Sequence, residues 1–242
     1  MDAVKILNLT KRYRNLTAVD NLSLSVCEGE LFSLLGINGA GKTTTIKMLS
    51  CLCTPSEGDA FLLGKSIKTE ADEIKKFIAV SPQETAIAPG LSARENLELI
   101  CGIHGFSKEK TREKIAQLTS LLNLDSILSR KSGKLSGGWQ RRLSIAMALI
   151  SEPKILFLDE PTLGLDVIAR SELWDIIRSL KGRVTIILTT HYMEEAEALS
   201  DRIAIMKDGR LLVCDTADAI KKSVGADSFE QAFVLTVKGA KQ

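Results

Sequence analysis

The chain has 242 residues, 45% hydrophobic and 26% charged, enough to bury a full α/β core as one large domain or two small ones. A formal charge of +2 leaves no electrostatic footprint for nucleic acid, and the basic clusters at Lys131/Lys134 and Arg141-Arg142 read as solvated faces. Five scattered cysteines without metal-site spacing fit a reducing cytosol, no signal peptide is read at the start, and apolar runs such as residues 145–150 fall far short of the roughly 20 residues that span a bilayer.

In chain order, the alternation of Val4-Lys5-Ile6-Leu7 and of Leu22-Ser23-Leu24-Ser25-Val26 predicts two strands. Glu28-Gly29 then reads as a turn into a buried strand, Leu31-Phe32-Ser33-Leu34-Leu35. This strand runs into Gly36-Ile37-Asn38-Gly39-Ala40-Gly41-Lys42-Thr43, a full match to the phosphate-binding P-loop. Glycines 36, 39 and 41 let successive N–H groups turn inward on an anion, and Lys42 adds a mobile charge that reaches the β- and γ-phosphates. Thr43 offers a hydroxyl to Mg²⁺, and the helix that opens here, through Thr44, aims its positive end at the phosphates. Residues 36–44, with Ile37, Asn38 and Ala40 among them, are therefore the expected contacts of a nucleoside triphosphate.

Past Gln83 the pattern becomes helical. Ser92-Ala93-Arg94-Glu95 is a capping box before Leu97, Leu99 and Ile100, and Ser107 can cap a charged helix that carries Ile115, Leu118 and Leu122. Leu135-Ser136-Gly137-Gly138-Trp139-Gln140 precedes a helical spacing at Leu143, Met147 and Ile150. Ser136 and the glycines then sit at a helix N-terminus, where a cap and an anion site are compatible. Next, Ile155-Leu156-Phe157-Leu158-Asp159-Glu160 is a short buried strand that ends in two carboxylates. Asp159 is expected to hold Mg²⁺, and Glu160 to take a proton from an attacking water.

A helix with Leu173, Ile176, Ile177 and Leu180 comes next, then a strand from Val184 to Thr190, then a hairpin turning at Lys207-Asp208-Gly209-Arg210. The tail, Ala226 to Val237, holds a short helix around Phe229 and Phe233, too small for a regulatory domain.

Together these motifs resemble the ATP-binding subunit of an ABC transporter, over nearly the whole chain. The resemblance implies an α/β P-loop NTPase core with a mostly parallel sheet, an N-terminal antiparallel β subdomain and an inserted α-helical subdomain. Residues 1–84 and 151–225 would form the core, 85–150 the insert with the signature, and 226–242 the tail. In this family the signature Leu-Ser-Gly-Gly-Gln reaches the γ-phosphate of ATP on the P-loop of a second subunit, so Ser136, Gly137 and Gly138 are implied to act across an interface. Trp139 stands where that glutamine usually does, an exchange expected to alter packing more than chemistry. Tyr13 falls where an aromatic stacks on adenine. Gln83 matches the Q-loop and a Mg²⁺ or water contact, Leu163-Gly164-Leu165-Asp166 matches the D-loop, and His191 matches the switch histidine.

The same resemblance implies ATP hydrolysis with Mg²⁺, with Lys42, Gln83, Glu160 and His191 as the catalytic set. It also implies a second ATP-binding subunit, since one P-loop is present, and separate transmembrane permease subunits, with the chain cytoplasmic and peripheral on the inner face of the membrane. No nucleic-acid partner is expected. Residues 91–97 and 190–197 resemble bacterial drug, antibiotic or sodium exporters; an importer ATPase, or an ABC ATPase that does mechanical work without transport, remains the alternative.

Overall fold

The computed structural model of the chain describes residues 1–239. Strands β1 (Asp2–Tyr13) and β2 (Leu16–Cys27) form a long antiparallel hairpin. β3 (Leu31–Leu35) then enters the core and delivers the chain to α1 (Lys42–Leu49). β4 (Glu57–Leu62) and β5 (Lys65–Ser66) return to the hairpin and complete a four-stranded sheet in the order β2-β1-β4-β5. After α2 (Ala71–Ile74) comes β6 (Ile78–Ser81). Three helices, α3 (Ala93–Ile103), α4 (Lys108–Leu122) and α5 (Gly137–Leu149), separate it from β7 (Ile155–Asp159). The chain continues through α6 (Val167–Leu180), β8 (Thr185–Thr190), α7 (Met193–Leu199), β9 (Arg202–Lys207), β10 (Arg210–Asp215), α8 (Ala217–Val224) and α9 (Phe229–Gly239). Among the described residues no helix is long and apolar enough to cross a membrane.

The second sheet has the order β10-β9-β3-β8-β7-β6, parallel throughout except for the β9–β10 hairpin. Every residue of β3, β7 and β8 is buried, as expected of parallel strands covered on both faces. Side chains alternate between the two layers. Leu156 and Leu158 of β7 face a cluster built with Leu97, Leu122, Leu143 and Leu173 of the helices. Phe157 turns the other way, to Phe32, Ile46 and the apolar face of the antiparallel sheet. A third cluster gathers Leu35, Ile203 and Ile205 under Ile220, Phe229 and Phe233. The described part of the C-terminal tail is mostly α9, 11 residues long, with Phe229 and Phe233 buried.

Local signals set the element ends. Ser92 and Glu95 form the reciprocal capping box of α3, and the Ser107 hydroxyl accepts from the Lys110 N–H to open α4. Asp208 (φ 49°) and Gly209 (φ 80°) supply the two left-handed residues of a type I′ turn between β9 and β10. The first two strands are longer than the alternation predicts. Their register shifts near Asn8 and Asn21, both left-handed, whose side chains bond each other at 2.8 Å. β4 had no strand signal, because Glu57-Gly58-Asp59 interrupts any alternation.

Gly58 carries that strand past the irregularity in β1. Its φ is 74°, and an added Cβ would lie 2.2 Å from the Asn8 carbonyl oxygen. Gly64 has a similar φ of 81° with nothing within 4 Å. Gly64→Ala should therefore cost only the left-handed backbone term, roughly 1–2 kcal/mol. Gly58→Ala should cost clearly more, since main chain must move as well. Urea unfolding of both variants checks this, and equal midpoints would refute the clash.

Candidate active site

Because β3, β8 and β7 are neighbours, the residues just beyond them meet at one edge of the sheet, where open parallel sheets bind ligands. Leu35 pairs with Thr190, and Asp159 with Thr189. Gly36, Asp159-Glu160 and His191 are brought together by this register alone. A cleft of about 590 Å³ lies there, lined by residues 38–44, Gln83, Glu160 and His191. Leu16, Thr17, Ala18, Leu163 and Asp208 complete it.

The loop between β3 and α1 is clamped. At Gly36 an added Cβ would lie 2.5 Å from the Met206 carbonyl oxygen, and at Gly41 2.5 Å from that of Ala18. Glycine is needed here for close approach as well as for the φ of 97° at Gly41. Gly41 caps α1 without a side-chain hydrogen bond, so the first-turn N–H groups remain available to an anion. Lys42 folds back along the loop, its Nζ donating to the carbonyls of Gly36 (2.6 Å) and Ile37 (3.3 Å).

Lys42 also pairs with Glu160. Nζ lies 3.2 Å from Glu160 Oε1, and both residues are about 95% buried (5% and 6% exposed). The other oxygen, Oε2, accepts from His191 Nδ1 at 2.7 Å. A buried carboxylate between two such partners is well compensated, whereas a lone one would be costly. The Glu160 backbone is left-handed, φ 49°, and its N–H donates to the carbonyl and hydroxyl oxygens of Thr189. Beside it, Asp159 Oδ1 accepts from Thr43 Oγ1 at 3.0 Å and Thr189 Oγ1 at 2.5 Å.

Behind these groups sits Glu195, fully buried and outside every sequence motif of the site. Its Oε1 accepts from Thr162 Oγ1 (2.8 Å) and Trp174 Nε1 (3.1 Å), while Oε2 has no hydrogen-bond partner among the described residues. Burial pushes this carboxyl above the usual range, against the pull of hydrogen bonds from Thr162 and Trp174. Glu195 thereby joins the turn after Glu160 to α6 and α7.

Other expected site residues stand apart from the cleft lining. Tyr13 is exposed at the end of β1, with the Lys11 ammonium 5.0 Å from its ring; Leu16, across the hairpin turn, faces the cleft instead. Ser136 opens α5, but its hydroxyl makes no cap bond, and Ser136 and Gly137 are exposed. Asp166, exposed, caps α6 by accepting from the Ala169 N–H at 2.9 Å. Trp139 packs on the helical cluster with the Arg142 guanidinium 4.5 Å from its ring, and Arg142 pairs with Glu172. Arg141 and Arg142, expected on a solvated face, are buried, because α5 turns that face onto β6 and α6. Leu16–Ala18 and Asp208 carried no sequence signal for the site. They arrive through the packing of β2 on the β9–β10 turn, where the Asp20 N–H donates to the Gly209 carbonyl.

A family model described as "ABC transporter" matches residues 19–163. The daunorubicin/doxorubicin resistance ATP-binding protein DrrA of Streptomyces peucetius is 39% identical over 93% of this chain and 68% of its own length. The Nod factor export ATP-binding protein I of Burkholderia orbicola is 42% identical over 92% of the chain and 74% of its own. The phospholipid-transporting ATPase ABCA3 of Homo sapiens is 40% identical over 92% of the chain, which spans only 13% of that protein. Among solved structures, an ATP-binding subunit of an ABC transporter superposes with a TM-score of 0.85 at 27% identity, over 97% of this chain and 99% of its own. A dimeric ATP-binding cassette bound to ADP and Pi superposes with a TM-score of 0.79 at 29% identity, over 88% and 98%. A P-loop, a strand-end pair of carboxylates and a histidine that converge on one cleft, in a chain with these relatives, make this protein a member of the ATP-binding, ATP-hydrolysing ABC transporter family.

Proposed function

We propose that this chain powers export through a separate membrane permease, as one of two ATP-binding subunits that close on ATP and open after its hydrolysis. The observation that carries the reading is Glu160, held between Lys42 and His191 at the mouth of the P-loop. In this arrangement the carboxylate pairs with the lysine. Phosphate oxygens compete for Lys42 Nζ, and once they take it, one Glu160 oxygen is released toward the cleft. That oxygen then accepts a proton from water as the water oxygen attacks the γ-phosphorus and the bridging P–O bond breaks, its electron pair leaving on ADP. Lys42 and His191 stabilise the charge that develops on the transferred group.

The all-oxygen set of Thr43 and Asp159, whose side chains meet at 3.0 Å, fits a hard cation, with Gln83 facing the same cleft. Held there by Thr43 and Asp159, Mg²⁺ would supply positive charge that offsets the charge of the phosphates. The adenine is assigned to the Tyr13 side of the β1–β2 hairpin.

Ser136, Gly137, Gly138 and Asp166 serve the nucleotide of a second subunit. The exposure of the signature opening, and the uncommitted Ser136 hydroxyl, support this assignment. So do Val167 (77% exposed) and Ile168 (73%), a pair of apolar residues beside Asp166 that burial against a second subunit would cover. Residues 85–150 pass the motion to the permease, at the inner face of the membrane. The drug-resistance role of DrrA and the export role of the Nod factor protein favour export over import. Copurification from membranes tests this arrangement: a permease should accompany the chain, and recovery as a free dimer under conditions that keep transporters intact would count against it.

Glu160→Gln should retain ATP binding and lose roughly 10²–10⁴-fold in turnover, because the amide keeps the shape but not the basic oxygen. It should accumulate as an ATP-bound dimer on size-exclusion chromatography. Parent-rate hydrolysis by a monomeric variant would remove Glu160 from its role.

An inactive Ser136→Arg subunit mixed with an inactive Lys42→Ala subunit should recover ATPase activity, since their heterodimer retains one intact composite site. Absence of both recovery and ATP-dependent dimerisation would refute the shared site.

A further inference from the structure

α5 opens with the Ser136-Gly137-Gly138 run, yet within its first turns it carries a guanidinium residue, Arg141, that is only 5% exposed. Arg141 Nη1 donates to the Pro82 carbonyl and Nη2 to the Gln83 carbonyl, each at 2.6 Å. Among the described residues its side-chain hydrogen bonds go to main chain alone. Burial pulls its pKa down, and Asp159 and Glu195 favour the cation only from a distance. Two consecutive carbonyl dipoles are thus what compensates a buried charge, and the planar fork of arginine suits such a pair where an ammonium does not.

The dependence runs the other way as well. β6 ends at Ser81, and among the described residues the Pro82 and Gln83 carbonyls accept from no backbone N–H. A second tether joins the same surfaces. Ser81 Oγ and Ser144 Oγ lie 3.0 Å apart, both buried, and Ser144 is one helical turn beyond Arg141 on the same helix face. One flank of the cleft is therefore fastened to α5 rather than to the sheet.

We propose that Arg141 is a positioning residue: it fixes the Pro82–Gln83 main chain to α5, so the presentation of Gln83 to its own cleft depends on the helix whose N-terminus serves the opposite nucleotide. The proposal rests on the roles given above to Gln83 and Ser136. Its consequence is that the two sites sense one another through the fastening of this segment to α5, with Arg141 as its charged part. When α5 shifts on closure, two carbonyls and the glutamine beside them move with it.

Amide hydrogen exchange and ATPase assays on full-length Arg141→Gln, Arg141→Lys and Gln83→Ala variants test this. Arg141→Gln should speed exchange of residues 83–91 by about 10-fold or more, since charge-assisted bonds are lost, and leave residues 36–50 at the parent rate. The Mg²⁺ concentration for half-maximal turnover should rise, and Arg141→Lys should fall between parent and Gln. In a Gln83→Ala background, Arg141→Gln should add nothing to the Mg²⁺ shift. Parent exchange in residues 83–91 by a folded Arg141→Gln would overturn the proposal, as would Mg²⁺ shifts that add. If Arg141→Gln does not fold, Arg141→Lys decides on the same readouts. If Gln83→Ala leaves Mg²⁺ dependence untouched, the role of Gln83 fails, while the exchange data still report whether Arg141 holds the segment.

Discussion

A strand that is buried on both faces can stop only where the sheet meets solvent or ligand, and β3, β8 and β7 are three such strands side by side. Packing holds each at a fixed register, so the first polar residues beyond them emerge at fixed separations. The P-loop, the carboxylate pair and His191 need no loop to gather them. This makes the site as rigid as the core beneath it, and ties its geometry to residues such as Phe157 and Leu188 that lie wholly in the core.

Within that frame the strongest local compromise falls on Glu160. It is buried, left-handed and negatively charged, conditions that an isolated residue would not tolerate together. Lys42, His191 and the Thr189 oxygens offset them jointly. A ligand that withdraws Lys42 unbalances the arrangement and leaves Glu160 with less compensation.

The parts legible in the sequence are those whose information is local. The P-loop names its chemistry in consecutive residues, and the openings of α3 and α4 come from Ser92, Glu95 and Ser107. The full lengths of β1 and β2 were hidden by Asn8 and Asn21, whose left-handed backbones break the period of two. The contacts from Lys42 to Glu160 and from Glu160 to His191 join residues remote in the chain, so no window contains them. Buried charge was the least legible of all. Arg141 and Glu195 look like surface residues in a string of letters, and only the helices packed around them reveal otherwise.

The chain's two tryptophans are placed unevenly, and usefully. Trp139 lies under the Arg142 guanidinium at the opening of α5, while Trp174 donates its indole N–H to Glu195 behind Glu160 and His191. One ring therefore senses the exposed opening of α5 and the other the interior joint, each through a charged or ionisable neighbour that can shift or quench its emission. The protein carries its own pair of optical reporters, one at the opening of α5 and one at the joint of α6 and α7.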